Sequence, residues 1–131
     1  MARHGHADVK GVSTFVGPME RLLLITLVLL ALVLSLAPKH LSPGALMPHM
    51  LVHLLGFGGL TVAAIWLSRR VVLSAIAVFA LSVLIELLQL AVPWRQGSMR
   101  DITVNLVAVV IGAVVGALVL RIARFRVSGL P

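Results

Sequence analysis

Four apolar stretches divide the chain: Leu22 to Ala37, Met50 to Leu67, Val71 to Val92 and Ile102 to Leu120, of 16, 18, 22 and 19 residues. Turn formers fill the breaks. Gly17-Pro18 precedes the first run, and Pro38, Pro43, Gly44 and Pro48 follow it. Ser68-Arg69-Arg70 and then Pro93 to Arg100 mark the later breaks. A helix of about 20 apolar residues crosses a hydrocarbon core of about 30 Å. The later three runs are close to that length. The first reaches only about 24 Å by helical rise, and closes most of the gap if the helix starts at Met19 with Arg21 snorkelling to the interface. Ser35-Leu36-Ala37 loosely resembles a leader-cleavage site, but the long apolar run and Pro38 just after it favour a retained helix. The pattern predicts an all-α, four-transmembrane-helix bundle over residues 19–120, with a polar tail at 1–18 and a basic tail at 121–131.

Composition agrees. Of 131 residues, 60% are hydrophobic and 11% charged, with a mean hydropathy of +1.13. Soluble domains carry about 45–50% apolar and roughly 25% charged residues, so this chain could not cover a soluble surface. Disorder is excluded by the same excess of apolar residues. The absence of cysteine removes disulfide and thiol chemistry. Eleven Lys and Arg against four Asp and Glu give a net charge of +7. In a membrane protein that surplus reads as topology, and no nucleic-acid partner is expected. Four spans place Arg3, Lys10, Arg21, Arg69, Arg70, Arg121, Arg124 and Arg126 on one side, and Lys39, Arg95 and Arg100 on the other. Basic residues collect on the cytoplasmic side, which predicts both termini inside and a multi-pass protein. Trp66 and Trp94 then fall at opposite interfaces.

Polar residues within the spans carry the candidate chemistry. Glu86 lies six residues from the end of the third run, about 9 Å deep, and His53 and Asn105 lie three residues in, roughly 5 Å deep. All three therefore approach the extracytoplasmic end. Ser82, Glu86 and Gln89 share one helix face by spacing. Asp101, Asn105, Ala108, Gly112 and Gly116 form a stripe suited to close packing, and His53, Gly56 and Gly59 or Leu60 form a similar one on the second helix. An ionisable group inside a span is a functional candidate by default. Structural roles compete with that reading. Ser98-Met99-Arg100-Asp101 fits a capping box, Glu86 could neutralise Arg95, and Gln89 and Asn105 suit interhelical hydrogen bonds. His49 and His53 have the i, i+4 spacing that places two imidazoles on one metal ion, but Met50 stands where an HExxH helix carries its glutamate. No metal and no cofactor are assigned.

The ordered series Glu86-Leu87-Leu88-Gln89, Pro93-Trp94-Arg95, Ser98, Asp101, Asn105 and Gly112 resembles the VanZ-like family of small bacterial membrane proteins. His53-Leu54-Leu55-Gly56-Phe57-Gly58-Gly59 resembles that family's second-helix segment, so the likeness is strongest over residues 48–116. His49-Met50 stands where relatives often have Asp-Lys, and Ala108 where a glycine is common. The resemblance implies a four-helix protein of the bacterial cytoplasmic membrane. The family's founding member is associated with teicoplanin resistance, a trait of the cell envelope, and most relatives have no assigned reaction.

Three functions follow as expectations. The favoured one is binding of an anionic lipid or envelope component in a polar pocket at the extracytoplasmic side, with His53, Glu86, Gln89, Arg95, Arg100, Asp101 and Asn105 as ligand-binding residues. There Arg95, Arg100 and His53 face the anion, the arginines offering phosphate a bidentate fork, while Glu86 and Gln89 orient them. The second is an enzyme acting on an envelope lipid or cell-wall precursor, with His53, Glu86 and Asp101 as catalytic candidates and Glu86 as general base. The third is a structural protein whose polar cluster locks the helices together. The bilayer is the expected partner in each case, together with a second copy or another membrane protein.

Overall fold

The computed structural model describes residues 17–41 and 47–128, and these are all-helical. Four helices follow one another up and down: α1 (Pro18–Leu36), α2 (His49–Ser68), α3 (Val71–Leu90) and α4 (Met99–Ser128), with a short 3-10 turn at Lys39–Leu41. Each of the four is long and apolar enough to cross a membrane, which makes the chain a multi-pass membrane protein. Residues 1–16 of the expected tail at 1–18, His4 and His6 among them, and the loop at 42–46 lie outside the described residues.

Local chemistry sets the helix ends. Pro18 occupies the first turn of α1, and the Glu20 carboxylate accepts the Gly17 N–H at 2.7 Å. α2 ends at Arg69 in the left-handed region (φ 60°), its N–H bonded to Ile65 O and its guanidinium 4.4 Å from the Trp66 ring centroid. Ser68 and Ser74 hydroxyls, 2.8 Å apart, tie the short turn into α3. At the other end of the bundle Ser98 caps α4, its hydroxyl accepting the Arg100 N–H at 3.1 Å. α4 does not stop at Leu120. Its 30 residues, about 45 Å long by helical rise, carry Arg121, Arg124 and Arg126 beyond the apolar span, so most of the expected basic tail is helical.

α2 and α4 form the central pair. A methyl group built on Gly112 would lie 2.5 Å from Gly58 O and 2.9 Å from Thr61 Cβ, and one on Gly116 would press on Ile65 at 3.0–3.2 Å. Apolar tails of lipid compete equally for apolar side chains, so helices in a bilayer associate where small residues allow close backbone approach. The α4 stripe of Asp101, Asn105, Ala108, Gly112 and Gly116 is buried along its whole length. On α2 the buried face is His53, Phe57, Leu60, Thr61, Ala64 and Ile65. Of the expected stripe of His53, Gly56 and Gly59 or Leu60, His53 and Leu60 are buried there, and the two glycines are corrected. Both are exposed with open space around them, because a step of four from His53 leads to Phe57, and Gly58 is the glycine that meets α4.

α3 adds the face of Ser74, Val78, Ser82, Ile85, Glu86 and Gln89. α1 has no fully buried residue, although Leu24, Leu27, Ala31 and Leu32 lean on the core. Large apolar side chains cover the outside of all four helices, as a lipid environment requires. Two buried hydroxyls in this core are silent, since Thr61 and Ser82 donate to their own helix at Phe57 O and Phe79 O.

Candidate functional site

The α1–α2 and α3–α4 connections share one end of the bundle, and nearly all the unusual polar residues gather there. Their first group joins α2 to α4. His53 Nδ1 lies 2.7 Å from Asn105 Oδ1 across the helix pair. An amide oxygen can only accept, so Nδ1 carries the proton and the ring's Nε2 lone pair faces the other way. That Nε2 lies 3.3 Å from His49 Nε2, one turn earlier on α2. His49 Nδ1 in turn lies 3.6 Å from Asp101 Oδ1. Asn105 is fully buried, His53 and Asp101 nearly so, and His49 is half exposed.

Glu86 stands beside this group on α3. Its Oε2 accepts the Ser98 N–H at 3.2 Å. That is the reciprocal half of a capping box, contributed by another helix. The expectation that Asp101 accepts the cap's N–H is therefore corrected: Asp101 turns to His49, because α3 already covers the cap. Glu86 Oε1 and the neighbouring Asn105 Nδ2 are both buried without a hydrogen-bond partner among the described residues. Gly97 makes this arrangement possible, since a methyl group there would sit 2.5 Å from Glu86 O.

The third group grips α1. Helices end with four carbonyls that lack intrahelical partners. Here Arg95 donates from Nη2 to Leu34 O at 3.3 Å and from Nε to Ala37 O at 2.9 Å, Gln89 donates to Ser35 O at 3.0 Å, and Trp94 Nε1 donates to Leu36 O at 3.1 Å. Four consecutive carbonyls at the end of α1 are capped from the α3 side, and the Arg95 charge sits at the negative pole of the helix dipole. The expected Glu86–Arg95 neutralisation is not formed, since each group has found a backbone partner instead. Arg95→Ala removes two charge-assisted bonds. Amide exchange in the last turn of α1 should rise about tenfold, as a loss of roughly 1.5 kcal/mol implies, with α2 and α4 unchanged by the same measurement.

A cavity of about 390 Å³ opens between α1, α2 and α3. Its lining is mostly apolar, with Leu34, Val52, Leu55 and Phe57, and adds the polar side chains of His49, His53, Gln89 and Arg95. Of the seven expected ligand-binding residues, His53, Gln89 and Arg95 reach this cavity. Glu86, Asp101 and Asn105 stand behind His53 and are not part of its wall. Arg100 is not brought to it either: its guanidinium turns to Met50 Sδ at 3.2 Å on the exposed α2–α4 flank. His49 is the residue that the expected site lacked, and its i, i+4 relation to His53 was the available signal. The α1 wall carried none, because Leu34 and Ser35 are ordinary residues of an apolar run.

No protein-family model matches this chain, and neither a curated protein nor a solved structure does.

Proposed function

We propose that this is a VanZ-like protein of the bacterial cytoplasmic membrane that holds an anionic lipid or envelope component in the α1–α2–α3 cavity. The single observation that carries the reading is the cavity's mixed lining, apolar side chains together with cationic and hydrogen-bonding ones. Its volume is within the range of small-molecule sites, roughly 300–1,000 Å³. An acyl chain suits the Leu34, Val52 and Phe57 walls, and an anionic headgroup suits Arg95, whose guanidinium has five N–H donors of which α1 uses two. Gln89 and the histidines provide orientation. The bias of arginines toward Arg69, Arg70, Arg121, Arg124 and Arg126 supports cytoplasmic termini and an outward-facing cavity.

Gly56 offers a test that spares the fold. It lines the cavity, and nothing lies within 4 Å of a methyl group built on it. Gly56→Phe should therefore direct its ring into the cavity, since the first added carbon meets no neighbouring helix. Native mass spectrometry of protein released from mixed phosphatidylethanolamine and phosphatidylglycerol nanodiscs should show one retained phosphatidylglycerol on the wild type, and at least tenfold less on Gly56→Phe at equal thermal stability. Equal retention by both proteins would sink the reading. It would place the lipid elsewhere, for example in the groove that Arg69, Arg121 and Arg124 line at the opposite end.

A further inference from the structure

We propose that His49 and His53 bind a divalent transition-metal ion through their Nε2 atoms, with Asn105 and Asp101 of α4 orienting the two imidazoles. The spacing of the histidines alone does not carry this, since Met50 leaves the HExxH pattern incomplete. The fold supplies a different carboxylate. Asp101 comes from α4 rather than from α2, and one ligand atom from each of His49, His53 and Asp101 falls within a 4.8 Å group.

Distances and proton bookkeeping agree. Two imidazole nitrogens held at about 2.0–2.1 Å on a tetrahedral ion are roughly 3.3 Å apart, and the two Nε2 atoms lie 3.3 Å apart. The rings are tilted by 53°, with centroids 4.5 Å apart, so they converge rather than stack. The Asn105 oxygen fixes the His53 proton on Nδ1 and aims the Nε2 lone pair at His49. A neutral His49 that donates from Nε2 to that lone pair must turn its own Nδ1 lone pair toward the Asp101 carboxylate, acceptor against acceptor at 3.6 Å. A cation removes the conflict. Either an extra proton on His49 or a metal ion shared by both Nε2 atoms lets Nδ1–H face the carboxylate. The metal solution reproduces the arrangement in which ligating histidines give their second N–H to a carboxylate or carbonyl oxygen, here twice over. The negative charge of Asp101, in the first turn of α4 and beside His49 in the first turn of α2, offsets the positive helix ends that would otherwise disfavour a cation here. Imidazole ligands suit zinc, nickel, cobalt or copper and not magnesium or calcium. Half-exposed His49 leaves the ion reachable from the end of the bundle, and the cavity that both histidines line leaves room for further ligands. None of this depends on a lipid in the cavity.

The test uses full-length protein in nanodiscs, with His4 and His6 replaced by alanine so that the N-terminal tail offers no imidazole, titrated with Co²⁺ alone. One equivalent should bind and give a visible ligand-field spectrum, and Zn²⁺ should displace it. His53→Ala and His49→Ala should each weaken binding at least a hundredfold. Asn105→Ala and Asp101→Asn should weaken it about 10–100-fold, the usual effect of losing an orienting partner. His49 is half exposed in the first turn of α2, so His49→Ala keeps the test decisive if His53→Ala misfolds. Saturable binding that survives in the His49→Ala/His53→Ala double variant overturns the proposal, as does the absence of saturable binding below millimolar Co²⁺. Either result would mean that the two rings do not hold a metal ion.

Discussion

Gly112→Val should destabilise the bundle by about 2–3 kcal/mol, more than any other single small-to-large change along α4. Even the first added carbon has no room, with Gly58 O 2.5 Å and Thr61 Cβ 2.9 Å from its position, and both belong to the facing helix. Neither can yield as a flexible side-chain tip would, because one is backbone and the other is a β-carbon whose hydroxyl is bonded to Phe57 O. The helices must separate, and separation loses the dispersion contacts that hold them. Gly59→Val is the matched control, since open space surrounds that position on α2. Unfolding in detergent–SDS mixtures, followed by circular dichroism, measures both. Equal losses for the two variants would mean that the α2–α4 contact does not govern stability.

Glu86→Ala should cost about 3 kcal/mol, and Glu86→Gln only about 1. The alanine empties a site that is 2% exposed and leaves the Ser98 N–H at the start of α4 without its acceptor. Glutamine has the same size and keeps one carbonyl oxygen for that N–H. Its amide NH₂ then meets the Asn105 NH₂, donor against donor, and this accounts for the smaller loss. The same unfolding assay decides. If the two substitutions cost the same, hydrogen bonding to the cap is not what Glu86 contributes.

Much of the architecture was legible in the sequence because a bilayer imposes length and apolarity on each span. Four uninterrupted runs gave four helices, and the i, i+4 stripe from Asp101 to Gly116 gave the packing face of α4 directly. The α2 face was legible at His53 and Leu60 and not at Gly56 and Gly59, because glycines look like packing positions, while the geometry turned Phe57 and Gly58 inward and left Gly56 on the cavity. The end of α4 was misread because arginines mark a membrane boundary, and a boundary does not end a helix. Candidate polar residues were found by type, and their partners were not. Capping patterns are read over three or four residues of one chain segment, whereas Glu86 caps a helix 12 residues further on, and Arg95 caps one that ended some 58 residues before it. Contacts of that range are written in the fold and not in local spacing.

The grip on α1 has a consequence for how that helix is recognised. Gln89, Trp94 and Arg95 hold carbonyl oxygens, and every amino acid has one of those. Docking of this helix thus discriminates almost nothing about the identity of its outward-facing side chains. Leu22, Leu23, Ile25, Leu29, Leu30 and Val33 are interchangeable among themselves and with any comparably greasy substitute, whereas the position at which the helix stops is not negotiable.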